Sequence, residues 1–349
     1  MAITLPIKTV AYKGSKRKLV SQIVDLALEV GATCAFDGFS GSGIVSAALR
    51  HNGLKVVAND LNSSSYIFGR VFLEGYDPEV VARHLAVIND LKGHKGWVSD
   101  NYAGTVRRKV RGQQGEFERP LGLLMANAMK IDAARDYIEG VAGLTPRDKN
   151  ALVFSTIKGC DSVFNNSNDQ KSALKEWSNK SLQQVVFEAP TLIRGPVGEQ
   201  LRGDVFDLEI PSCDFVYLDP PYTHGVLYAA CYHLSNSLAL WDKAPLNDSY
   251  AIPRPERAVF RKKAPGAFYS KKRIQTDFNR LLEKYKSPRV VLSYSDAPRN
   301  TIKIDELVSL CRGHGSVTVR DIEHQICAQY KSQQKRSTKL KEYFIIIDT

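Results

Sequence analysis

The chain has 349 residues, 43% hydrophobic and 24% charged, with a formal net charge of +11. That length suits one large domain carrying an insertion, or two domains, and no apolar run is long enough to span a membrane as a helix. The six cysteines form no CxxC pair, the first residues carry no apolar leader, and both features point to a reducing cytoplasm.

The positive charge is read either as a site for a polyanionic partner such as nucleic acid or as a solvated basic surface. Along the chain, "CAFDGF" (34–39) reads as a buried strand, and "GIVSAALRHNG" behind it as a helix stopped by Gly53. "KVVAND" (55–60) is the second strand. The stretch 65–195 then departs from strand–helix alternation. Its patterns are mostly helical, interrupted by basic "VRRKVRG" (106–112) and polar "FNNSNDQKS" (164–172), and it is expected to be an inserted helical domain. "EQLRGDVF" (199–206) and "DFVYLD" (214–219) resume the strands. A second insertion, 251–273, is dense in Arg, Lys and Pro. A helix over 271–285 leads into "RVVLSYS" (289–295), and a helix over 303–315 into "VTVRDIEH" (317–324). "EYFIIIDT" (342–349) is the seventh strand. Alternating strands and helices imply an α/β fold with a mostly parallel sheet covered on both faces. Only a basic stretch without helical pattern separates the last two strands, so they are expected to form an antiparallel hairpin with a long loop.

The loop "FDGFSGSG" (36–43) joins the first strand to the first helix behind it. Gly41 and Gly43 permit a tight turn and close approach of a ligand, and the helix N-terminus offers free N–H groups. Asp60, ending the next strand, is placed to bind ribose hydroxyls. Three readings stay open here: an S-adenosylmethionine site, a dinucleotide site, or a structural turn. Asp37 at the strand end would repel a diphosphate and suits a ligand with an amine. Asp204 is read either as an acceptor for a cofactor's adenine amino group or as a loop or cap acid.

"DFVYLDPPYTHG" (214–225) ends an apolar strand on an acid, two prolines and a tyrosine. Proline fixes φ and lacks an N–H, so Pro220 and Pro221 cannot continue a central ladder. Asp219 and the elbow carbonyls become fixed acceptors, and Tyr222 adds a flat face. Together they form a receptor for a planar group bearing an NH2, such as adenine. Chance would place this tetrapeptide in such a chain on the order of once in a thousand.

"YKGSK" (12–16), "FDGFSGSG", "VVAND", "RGD" (202–204), "DFVYLDPPY" and "LSYS" (292–295) follow the order found in the D12 class of DNA adenine-N6 methyltransferases, which the chain resembles along essentially its whole length. The resemblance implies a class I S-adenosylmethionine-dependent methyltransferase fold, with residues 1–64 and 196–349 as the catalytic domain and 65–195 as the target-recognition region. It implies that Tyr12, Gly14 and Lys16 line the methionine side of the cofactor and that Asp37, Phe39, Gly41 and Gly43 form its loop. Asp60 would hold the ribose, Asp204 with Val205 the cofactor adenine, and Asp219, Pro220, Pro221 and Tyr222 the flipped target base. No metal is implied.

Phe268 or Tyr269 is expected either to cover the second face of the base or to anchor the loop to the core. Basic runs containing Arg107, Arg108, Lys262 and Lys263 are expected on DNA phosphates, or as solvated faces. Cys311, His314, His324 and Cys327 have a spacing that superficially suggests zinc, but the first pair ends a helix and the second lies on or after a strand. Two rivals remain at this point: an RNA adenine-N6 methyltransferase and a catalytically silent DNA-binding relative. The DNA site read, a restriction endonuclease partner and the oligomeric state are not legible.

Overall fold

The computed structural model describes residues 6–109, 116–166, 170, 174–221, 231–245, 268, 272–297, 300–324 and 340–349. Among these, seven strands form one mixed sheet: β1 (Cys34–Asp37), β2 (Lys55–Asn59), β5 (Glu199–Leu201), β6 (Phe215–Leu218), β7 (Arg289–Ser295), β8 (Ser316–His324) and β9 (Leu340–Asp348). Their order is β5-β2-β1-β6-β7-β9-β8. The first five are parallel, and β9 runs antiparallel between β7 and β8. All seven expected strands are present, and the closing hairpin is antiparallel as expected. The basic stretch 325–339 inside that hairpin lies outside the described residues.

The short apolar runs form a two-faced sheet because successive side chains alternate. Ala35, Val56, Phe215, Tyr217 and Ile346 enter one core, and Phe36, Val57, Val216, Leu218 and Ile347 the other. Burying each large apolar side chain contributes about 1.5–3 kcal/mol. The first face is covered by α1 (Val20–Glu29), α2 (Ile44–His51), α3 (Ser63–Glu74) and a later helix, α8 (His233–Leu240). The second is covered by α9 (Ile274–Lys284), through Phe278, Leu281 and Leu282, and α10 (Ile304–Cys311), through Leu307 and Cys311.

Between β2 and β5, α3 packs on both strands, so sheet-covering structure runs past residue 64. Then follow α4 (Pro78–Asp90), α5 (Trp97–Tyr102), a hairpin of β3 (Thr105–Lys109) and β4 (Glu116–Pro120), α6 (Met125–Gly140) and α7 (Pro146–Val163). Asp77 and Thr145 cap α4 and α7 through side-chain oxygens, each ahead of a first-turn proline. The hairpin is an element that the mostly helical reading of 65–195 did not contain. The inserted helices share one core with the sheet: Phe154 of α7 meets Phe68 and Phe72 of α3 edge-on, each at 5.3 Å.

All five parallel strands open their carboxyl ends on one edge. From β1 the chain moves outward to β2 and from β6 it moves the other way to β7, so the strand order reverses between these neighbours and a crevice forms where they end. Asp37 closes β1, and Asp219 follows β6.

Candidate active site

The loop after β1 is fixed from beneath. Gly38 N–H donates to the Tyr217 carbonyl at 3.0 Å and Ser40 N–H to the Asn59 carbonyl at 2.8 Å. Gly41 and Gly43 adopt φ of 51° and 75°, the region where glycine is favoured. A Cβ on Gly41 would stand 2.9 Å from the Tyr12 ring, and one on Gly43 2.8 Å from Phe72. Asp60 accepts the N–H groups of Gly41 and Asn62, both at 2.8 Å. The acid expected on a ribose therefore also pins the glycine loop. Asp37 is 1% exposed and takes the Ser46 hydroxyl at 2.5 Å and the Phe39 N–H at 3.4 Å. Ser46 stands where the dinucleotide pattern G-x-G-x-x-G/A beginning at Gly41 would have Gly or Ala, and its hydroxyl is used here to hold Asp37.

Above the loop lies a second layer from distant sequence. The Tyr12 and Tyr232 rings stack at 4.2 Å and 6°. Lys13 N–H donates to the Tyr232 hydroxyl at 2.6 Å, and Asn62 Nδ2 to the Tyr12 hydroxyl at 3.2 Å. Asn236 Oδ1 accepts the Ser64 N–H and hydroxyl, at 3.1 and 2.9 Å. Tyr232, Asn62 and Asn236 were not among the sequence-derived site residues. "YHLSNS" (232–237) held the signal, as a polar cluster at the start of a core helix.

At the elbow, Lys16 Nζ donates to Asp219 Oδ2 at 2.6 Å, to the Gly14 carbonyl at 3.2 Å, and pairs with Glu342 Oε1 at 3.2 Å. Lys16 and Glu342 side chains are 6% and 5% exposed, and that of Asp219 is 19%. Ser293 donates its hydroxyl to Glu342 Oε1 at 2.8 Å. Lys16, expected along a cofactor's methionine chain, thus has its ammonium against the elbow carboxylate. Pro220 is buried and Pro221 partly so; Tyr222 lies outside the described residues.

Burial pushes the Asp37 carboxyl up to about 7, against the Ser46 and Phe39 hydrogen bonds and helped by the nearby Asp219 and Asp60 charges. Burial likewise pushes Asp60 to about 6, against the N–H groups it accepts. Asp219 rises to about 6 through burial; Lys16 opposes this and Glu342 adds to it. Three acids held above their ordinary range around one crevice disfavour a diphosphate. They favour a ligand bringing positive charge, which would let them ionise.

On the other side, Asp204 accepts the Phe206 N–H at 3.1 Å, a loop-acid contact, and the buried Val205 offers its carbonyl to the Tyr285 hydroxyl. Phe268 is 3% exposed, packed against Phe39, Phe206 and Phe278 at 5.8, 5.7 and 5.3 Å. These ring contacts are of the kind a core anchor makes. Tyr269, Lys262 and Lys263 lie outside the described residues. Arg107 and Arg108 lie on β3, opposite Glu118 and Phe117 in the hairpin register. Cys311 is fully buried, and His314 bonds Asn279 at 2.9 Å; among the described residues no cluster of His, Cys, Asp or Glu could hold a metal. Among them too, no helix is long and apolar enough to cross a membrane.

Residues 12–248, more than half the chain, match the family described as D12 class N6 adenine-specific DNA methyltransferase. Type II methyltransferase M.NlaIII of Neisseria lactamica is 29% identical over 66% of this chain and 69% of its own length. Type II methyltransferase M.FokI of Planomicrobium okeanokoites is 22% identical over 96% of this chain, which spans 52% of that relative. A solved structure of magnesium protoporphyrin IX methyltransferase from Synechocystis PCC 6803 with bound SAH aligns over 95% of this chain and 82% of that one. That alignment has a TM-score of 0.35 and 8% identity.

Proposed function

The chain belongs to the D12 class of N6 adenine-specific DNA methyltransferases, and on that premise we propose that the crevice between β1 and β6 transfers a methyl group from S-adenosylmethionine to N6 of an adenine flipped out of duplex DNA. The observation that supports this most is Asp219, fixed behind β6 and next to Pro220, with Lys16 at 2.6 Å.

The cofactor supplies an electrophilic methyl group, and this chain's residues bind, orient and neutralise. The glycine loop with Asp60 forms the floor, Tyr12 on Tyr232 the lid, and Asp37 the counter-charge for an ammonium or sulfonium. Asp204, Val205 and the neighbouring Phe39 shape the adenine end. Asp219 and the Pro220 carbonyl accept the N6 hydrogens of the target base, and Tyr222 stacks on its ring. These bonds draw N6 toward a tetrahedral shape and free its lone pair. S-adenosylmethionine would supply the methyl group to that lone pair and keep the S–C electron pair on sulfur, and Asp219 or water would take the proton from the cationic N6. Catalysis is positioning plus charge stabilisation.

The insertion 65–195, with the β3–β4 hairpin, is the part that reads the DNA site, and Arg107 and Arg108 meet phosphates. The relatives' type II names support a restriction-modification role, with an endonuclease of the same specificity as a further partner. An enzyme with this substrate is expected in the cytoplasm, at the nucleoid. Asp219→Ala tests the reading: labelled methyl transfer to adenine in duplex DNA is abolished while cofactor binding stays within a few-fold of wild type. Transfer by the wild-type protein to RNA and not to DNA would overturn the substrate assignment.

A further inference from the structure

The last strand of the sheet reaches into the reacting centre. Glu342, on β9 opposite Ser295 of β7, has its carboxylate 3.2 Å from Lys16 Nζ, which also bonds Asp219 at 2.6 Å. The Ser293 hydroxyl fixes the same Glu342 oxygen at 2.8 Å. Buried carboxylates are seldom kept without a partner, and here two share one ammonium.

The charge count gives this sharing a consequence. Asp219 with Lys16 alone is a neutral pair. Such a pair has little attraction for positive charge developing on N6, and its carboxylate is a weak proton acceptor. When all three are ionised, Lys16, Asp219 and Glu342 together carry one net negative charge, beside the atom that becomes cationic.

We propose that Glu342 is a positioning residue for methyl transfer: through Lys16 it holds the Asp219 carboxylate in place while keeping the cluster net anionic. This rests on the reading above that Asp219 receives the adenine amine. Among the described residues, the groups facing Asp219 are Lys16 from the N-terminal segment, Glu342 from β9, Asp37 from β1 and Tyr217 from β6. Asp37 and Tyr217 are unchanged by a substitution at 342. Lys16 lowers the Asp219 proton affinity and Glu342 raises it.

The test is the single-turnover rate of methyl transfer to duplex DNA against pH, for wild type, Glu342→Gln and Glu342→Asp, each saturated with cofactor and DNA. Glu342→Gln is expected to lose about tenfold or more of its plateau rate, a part of the ~10²–10⁴ that a placed acid or base contributes. Its acid limb moves to lower pH, because Asp219 gives up its proton more readily without the second carboxylate. Glu342→Asp restores most of the plateau. In a Lys16→Met background, Glu342→Gln costs nothing further or restores rate, since its route to Asp219 is gone. A plateau equal to wild type overturns the proposal, as does a fall with the acid limb unmoved, or effects of the two substitutions that multiply. Should Glu342→Gln fail to bind cofactor, Ser293→Ala, which loosens Glu342 without changing charge, carries the test: a lowered plateau with unchanged cofactor affinity supports the proposal and an unchanged plateau overturns it. A wild-type protein that transfers no methyl to adenine would instead refute the function itself.

Discussion

Asp37→Asn should make the cofactor-free protein more stable and the enzyme useless. The carboxyl of Asp37 is raised from 3.8 to about 7, chiefly by burial. Each pKa unit is about 1.4 kcal/mol, so keeping it ionised in the fold costs up to about 4 kcal/mol as an order of magnitude. The folded chain holds this proton more tightly than the unfolded chain. Stability from this group is therefore greatest at low pH, falls as pH rises from about 4, and reaches its full penalty above about 7. Asparagine removes the titration and still offers an oxygen to the Ser46 hydroxyl, now at 2.5 Å. Asp60 and Asp219 titrate in the same window, so the informative quantity is the difference between variant and wild type. Urea unfolding between about pH 5 and pH 8 measures it. The variant should gain about 4 kcal/mol at the alkaline end and about 1.5 kcal/mol at the acid end. Cofactor affinity should move the other way. In the wild type it rises with pH through about 7 as Asp37 ionises. In the variant it is at least about tenfold weaker at the alkaline end, with a flatter profile. Equal stability of the two proteins at alkaline pH would refute the reasoning.

Gly41→Ala puts a methyl 2.9 Å from the Tyr12 ring at φ 51°, a conformation costing about 1–2 kcal/mol for a residue with a Cβ. Calorimetric titration should show cofactor affinity falling more than thermal stability. Tyr232→Phe deletes the acceptor of the Lys13 N–H and should cost about 1 kcal/mol; Tyr232→Ala also loses the stack and about 0.5–1.5 kcal/mol more. Both should raise the cofactor KM ahead of the DNA KM in steady-state assays. Arg107→Ala combined with Arg108→Ala should weaken duplex binding across sequences and flatten the salt dependence by about two units of slope, read by fluorescence anisotropy over a salt series.

The sheet was legible because its strands are compact apolar runs cut by Gly, Asp and Pro, and buried parallel strands are built that way. "FVYL" feeds both cores because both faces are covered. The elbow and glycine loop were legible because proline and glycine state their backbone demands locally. The β3–β4 hairpin was not: "VRRKVRGQQGEFERP" is dominated by charge and lacks the apolar alternation that marks a half-buried strand. Nor was Glu342, which in "KEYFIIIDT" looks like the polar margin of a strand, and meets Lys16 only through the tertiary fold. Phe268 was read as one of two things because an aromatic in a basic loop has no periodicity to say which way it packs.

Strand β9 sits between β7 and β8 although β8 precedes it in the chain. Chain growth therefore reaches β8 before its sheet neighbour β9 exists. The sheet edge at β7 stays open until the residues through Asp348 have been made. Because Glu342 rides on that strand, assembly of the Lys16–Asp219–Glu342 cluster requires β9 to pair with β7. A nascent or truncated chain can own the glycine loop and the elbow and still lack the geometry for chemistry. The Lys16–Glu342 contact therefore forms only once β9 has taken its place beside β7.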